Sequence, residues 1–181
     1  GMFIGILNIT GLAFGMTLQL LAITGESLPW LLALTAVMAI VLGLGLPTVG
    51  VYIIMATLIA PALVKVGIAP MAAHMFLLYF GVMSMVTPPV ALSAFAAANI
   101  AGADVDKTGW TATRIGWAAY IVPFLFALSP SLLMQGHPLI IAWAVITAAI
   151  GIWLGTIGVG GYFYAPVAAA VYTHGHVDHA F

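Results

Sequence analysis

Two long uncharged intervals constrain this chain more than any other feature. Residues 27–64, between Glu26 and Lys65, contain no charged side chain, and residues 66–103, between Lys65 and Asp104, carry only His74 as an ionisable group. Each interval is 38 residues long and as a single helix would extend roughly 57 Å. The hydrocarbon core of a bilayer is only about 30 Å thick. Both intervals must therefore turn or break. The break signals lie near the middle of each: Gly43-Leu44-Gly45-Leu46-Pro47-Thr48 in the first and Ser84-Met85-Val86-Thr87-Pro88-Pro89 in the second. Proline removes a helix donor and clashes one turn back, while glycine lets the backbone turn at no steric cost. Only 14 residues separate Pro89 from Asp104, fewer than the 17 or so a full span requires, which places the second break inside the membrane. The arms of the first are long enough that Gly43–Pro47 also reads as a tight connection between two short spans. Thr87-Pro88-Pro89 reads equally as a kink or a helix entry.

Composition sets the solvent. Of 181 residues, 65% are hydrophobic and 4% charged, against about 25% charged in an ordinary soluble domain. Three Lys/Arg and four Asp/Glu cannot cover a water-facing surface, whereas a lipid bilayer demands no such cover. The formal net charge of −1 leaves no basic face for nucleic acid. The absence of cysteine excludes disulfides, thiolate metal sites and cysteine nucleophiles. The first residues lack the basic region of a secretory signal and are apolar at once, so the chain is expected to begin inside an element.

The remaining segments follow the same logic. Residues 3–23 have only Asn8, Thr10, Thr17 and Gln19 as clearly polar groups, as suits a helix packed against protein. Asp104-Val105-Asp106-Lys107-Thr108 has helix-start chemistry. A fourth segment follows to about Leu133, kinked by Pro123. A fifth runs over about 139–159 and ends in an aromatic, interfacial turn at Gly160–Pro166. Lys65, Lys107 and Arg114 are too few to set an orientation. The expected fold is an all-α polytopic membrane protein with a re-entrant helical hairpin and a broken transmembrane helix. The membrane unit is expected to occupy residues 1–166, ahead of a His-rich tail at 167–181.

A backbone unwound at bilayer depth exposes amides and carbonyls that cost several kcal/mol each unless something pairs with them. Broken helices in secondary transporters meet that need with ions and substrates. Thr48 and Thr87 add hydroxyl oxygens, which hard cations prefer. Neither break holds a carboxylate, so a cation there would rest on neutral oxygens and dipoles. The candidate ion- and substrate-binding residues are Gly43, Gly45, Pro47, Thr48, Ser84, Thr87, Pro88 and Pro89. Arg114 either neutralises a substrate carboxylate or snorkels to the headgroups, the second being favoured. His74 is either a proton-linked group or a side chain bonded to a backbone carbonyl near the interface, again with the second favoured.

These residues also resemble a family. Gly43-Leu-Gly-Leu-Pro-Thr48, Met55-Ala-Thr-Leu-Ile-Ala-Pro-Ala-Leu-Val64, Ala72-Ala-His74, Val86-Thr-Pro-Pro-Val-Ala91 and Asn99-Ile-Ala-Gly-Ala103 are similar to the large permease subunit of tripartite ATP-independent periplasmic (TRAP) transporters. The likeness is greatest to the type in which small and large subunits are fused. The resemblance implies an elevator-type transporter built from two inverted repeats, of which this chain supplies one, with residues 43–48 as a hairpin tip and 84–89 as the unwound crossing helix. It further implies Na+ as coupling ion, no other cofactor, no enzymatic activity, and import of small carboxylates delivered by a periplasmic binding protein. The implied partners are the lipid bilayer, the N-terminal half of the permease and the small-subunit helices, in a bacterial inner membrane. Many relatives outside the fused type end the second motif in glycine, where this chain has Ala91. A channel or structural membrane subunit is the alternative from the residues alone.

The tail carries a separate signal. His174, His176, Asp178 and His179 form an HxHxDH pattern resembling the zinc signature of metallo-β-lactamase-fold hydrolases, in which the first two histidines bind one metal and the Asp-His pair the other. Only two residues follow, so a complete two-metal site is not expected from this segment alone. A chance pattern, a junction with another coding region and weak metal binding all stay open.

Overall fold

A computed structural model describes residues 9–25, 27–44, 46–160 and the pairs 162–163 and 165–166. Among these the chain is helical: α1 (Leu12–Thr24), α2 (Leu28–Gly43), α3 (Thr48–Leu58), α4 (Ala60–Lys65), α5 (Pro70–Met83), α6 (Leu92–Ala101), α7 (Val105–Ile115), α8 (Trp117–Leu128), a 3-10 turn (Pro130–Leu133) and α9 (Pro138–Gly160). A two-residue antiparallel pair, Tyr162–Phe163 with Ala165–Pro166, follows.

The punctuation is local chemistry. Gly25 ends α1 in the left-handed region, φ 59°, its N–H returning to the Leu21 carbonyl, a position where glycine avoids the Cβ penalty. Asp104 opens α7 by accepting the Lys107 N–H at 2.8 Å, which satisfies a donor that would otherwise be orphaned. Pro123 lies inside α8, buried, and the helix continues to Leu128. The fourth segment expected as one helix is instead two, divided at Gly116, where the N–H bonds back to the Ala112 carbonyl and ends α7.

The core is organised around α5, which packs against α2, α3 and α8. Leu31, Leu32 and Ala39 of α2, Val51 and Met55 of α3, and Phe76, Leu77 and Phe80 of α5 are buried together. Phe124 of α8 closes this core by stacking edge-on against Phe76 and Phe80, at ring separations of 5.2 and 5.6 Å, an arrangement that exploits the opposite charge of ring edge and face.

The outside is as apolar as the inside. Trp30, Val37, Ile121, Trp143, Ile146 and Trp153 are exposed, and no residue of α9 is buried. Such a surface would aggregate in water, and lipid is the solvent that suits it. Val105–Leu128, spanning α7 and α8, and Pro138–Gly160 are long and apolar enough to cross a membrane, and α2, α3, α5 and α6 are shorter apolar helices. The protein is an all-α, polytopic membrane protein.

Candidate functional site

Each long interval does break where glycine and proline cluster, and the two breaks meet. α2 stops at Gly43, Leu44 closes a final turn onto the Val41 carbonyl, and α3 begins at Thr48 behind Pro47. α5 stops at Met83 and α6 resumes at Leu92. A Cβ placed on Gly43 would lie 2.1 Å from Ser84 Oγ and 2.3 Å from Ser84 Cβ, so the absence of a side chain at 43 lets the end of α2 rest directly on the end of α5. On the other arm, Thr48 Oγ1 donates to Met85 Sδ at 3.2 Å, and Val51 lies over Gly81. α3 therefore runs back along α5, and both of its neighbours end beside its first residue.

The unwound stretch is held by its own bonds. The N–H groups of Met85, Val86 and Thr87 reach back only three residues, to the carbonyls of Val82, Met83 and Ser84, which tightens the helix into a turn. Ser84 Oγ, 1% exposed, donates to the Gly81 carbonyl at 2.7 Å, a back-bond of the kind that bends membrane helices. Pro88 and Pro89, joined by a cis peptide, supply no N–H. Ser93 N–H then bonds the Met85 carbonyl at 3.0 Å and Ala91 N–H the Thr87 carbonyl at 3.1 Å, folding the chain back on itself. Ala91 is fully buried with φ 34°, a left-handed geometry uncommon for any residue with a Cβ. That geometry gives a physical reason for glycine to be favoured at this position.

A second layer comes from α7 and α8. Thr87 Oγ1 donates to the Met83 carbonyl and lies 2.7 Å from Tyr120 Oη. Thr113 Oγ1 donates to the Val86 carbonyl at 3.2 Å and shares its proton with the Gly109 carbonyl. A Cβ at Gly109 would lie 2.9 Å from Phe95 and 3.5 Å from Pro88, so glycine there lets α7 lie close against α6 and the break. Tyr120 and Thr113 escaped the sequence reading. Their signal was faint: among the residues of α8, all apolar otherwise, Tyr120 is the one with a hydroxyl.

The structure thus brings Gly43 onto Ser84 and Thr48 onto Met85, with Thr87 further along the same turn against Tyr120, Pro47 capping α3 and Pro88 under α7. Gly45 lies outside the described residues, as do His174, His176, Asp178 and His179. Among the described residues no group of three or more His, Cys, Asp or Glu is placed to hold a metal. Arg114 Nη2 donates to the Val159 carbonyl at 3.2 Å, so the guanidinium caps the C-terminal end of α9, where carbonyls lack intrahelical partners and the dipole is negative. His74 has a side-chain partner in place of a backbone carbonyl, its Nδ1 lying 3.2 Å from Tyr52 Oη.

Apolar helices that break in matched pairs and meet at the joint, with hydroxyls beside it, fit a membrane permease of the broken-helix class. Residues 1–140 match the family model of the tripartite ATP-independent periplasmic transporter, DctM component, and the chain belongs to that family. No curated protein and no solved structure matches it. Both breaks and the α7–α8 layer lie within the matched range.

Proposed function

We propose that the chain is the part of a TRAP permease that binds the coupling ion and substrate, importing small carboxylates on the sodium gradient. The observation that carries this reading is the meeting of the two breaks, Gly43 on Ser84 and Thr48 on Met85. A cation needs several oxygens converging from different chain segments, and here the Thr48 hydroxyl of one broken segment reaches the Met85 side chain in the turn of the other. The Thr48 hydroxyl is spent on a thioether, a weak acceptor, so a cation can recruit its oxygen at little cost. Gly43, Pro47, Ser84, Pro88 and Pro89 shape the joint, while Thr48 and Thr87 supply oxygens. In this reading α2 and α3 are a re-entrant hairpin: at 16 and 11 residues they extend roughly 24 and 17 Å, short of a full span.

Each Na+ moving inward across 100 mV contributes about 2.3 kcal/mol, enough to concentrate a substrate against its gradient. The partners in this reading are the inner-membrane bilayer, a second repeat, small-subunit helices and a periplasmic binding protein. The membrane unit occupies residues 1–166, and the tail at 167–181, with its zinc-like His174, His176, Asp178 and His179, takes no part in transport.

The test is sodium-stimulated uptake by the complete tripartite system in liposomes. Thr48→Ala and Thr87→Ala are each expected to raise the half-saturating Na+ concentration roughly tenfold, the scale of one hydrogen-bonding group facing a charge. Wild-type sodium dependence in both variants overturns the reading.

A further inference from the structure

We infer that Tyr120 is a positioning residue for the Thr87 hydroxyl, fixing which way its proton points and so presenting an oxygen lone pair to the cation. The inference rests on the reading above that the break around Thr87 holds the coupling ion. Tyr120 itself touches neither ion nor substrate in this account.

The argument is a count of protons. A threonine hydroxyl has one hydrogen and two lone pairs. Thr87 Oγ1 lies within bonding reach of the Met83 carbonyl and of Tyr120 Oη. The carbonyl can only accept, so Thr87 must spend its single hydrogen there if that bond is to form. Tyr120 must then be the donor to Thr87. This is the one arrangement in which both contacts are hydrogen bonds, and it leaves Thr87 with one unshared lone pair and no hydrogen free to turn outward. A hydroxyl so fixed is an acceptor only. Without the phenol, the Thr87 hydroxyl keeps one bond where it had two, and only the Met83 carbonyl, which also accepts the Val86 N–H at 3.1 Å, is left to orient it.

The phenol is well placed to act this way because its position is set elsewhere. Tyr120 lies one helical turn before Phe124 and so on the same face of α8. That face is anchored by the stacking of Phe124 on Phe76 and Phe80. Thr113 bonds the neighbouring Val86 carbonyl from the adjoining helix, so the break is gripped at two successive residues from outside.

Sodium-dependent uptake by the complete tripartite assembly in liposomes tests this, with Tyr120→Phe, Thr87→Ala and the double variant. Tyr120→Phe removes one oxygen and leaves the ring in place. It is expected to raise half-saturating Na+ about fivefold, the equivalent of one neutral hydrogen bond, and by more than it alters the maximal rate. In the double variant the shift equals that of Thr87→Ala alone, because Tyr120 acts through Thr87. Sodium protection of the purified assembly against thermal unfolding reads the same affinity if any variant loses transport. A shift in Thr87→Ala with none in Tyr120→Phe, or additive shifts in the double variant, overturns the inference and leaves the ion site standing. No shift in Thr87→Ala overturns the inference, and no shift in Thr48→Ala as well overturns the reading beneath it.

Discussion

Ser84 and Gly43 form the closest approach between the two broken segments, and it is made of almost nothing: a hydroxymethyl group against a bare backbone. Gly43→Ala forces a carbon to within 2.1 Å of Ser84 Oγ, and overpacking of this kind costs about 1–3 kcal/mol. We expect Gly43→Ala to lower the thermal unfolding temperature in detergent, and Ser84→Gly introduced beside it to restore most of the loss. Failure of that rescue would show that the loss does not come from the clash with Ser84. The sequence marks Gly43 as a residue that lets the chain turn, whereas the structure uses its missing side chain for close approach. A motif reveals which residues are unusual along the chain, whereas close approach is a property of residues 41 apart. Tyr120 was missed on the same ground: its partner Thr87 is 33 residues away, and nothing local distinguishes a tyrosine that orients a hydroxyl from one that wets an interface.

Element boundaries were more legible, because glycine and proline act through the local backbone. The end of α2 and start of α3, and the end of α5 and start of α6, fall where the Gly/Pro clusters predicted, the further break between α3 and α4 was not expected, and α9 fills the expected fifth segment. The division at Gly116 was not legible, since a glycine in an apolar run is compatible with a continuous helix. The seating of α9 was hidden too. At Gly155 a Cβ would lie 2.2 Å from the Trp117 ring, so the indole of α8 lies in a notch that glycine leaves on α9. Beside that notch, Leu125 and Ala148 line a cavity of about 390 Å³ between the two helices. Gly155→Leu fills the notch and is expected to push α9 away. The protein lacks cysteine, so Leu125→Cys with Ala148→Cys gives a clean reporter. Cross-linking of that pair by a short bis-maleimide should fall several-fold in the Gly155→Leu background, and undiminished cross-linking would show that α9 is held by other contacts.

For the whole molecule, the bilayer does what a charged surface does for a soluble protein. Ile146 is 51% exposed near the middle of α9, and an aspartate at the centre of a membrane helix costs about 3 kcal/mol on the insertion scale. Ile146→Asp is therefore expected to cut the fraction of α9 inserted, measured by glycosylation mapping. The same charge at Thr108, in the polar start of α7, should be tolerated. Equal insertion in both would contradict a membrane-centred Ile146. α9 buries none of its own residues, and this has an evolutionary consequence. Selection on a helix solvated by lipid weighs the average greasiness of a position, not the identity of its side chain, except at rare notches such as Gly155. Such a helix drifts quickly in spelling while keeping its meaning. The matched family range ends at residue 140, two residues after α9 begins.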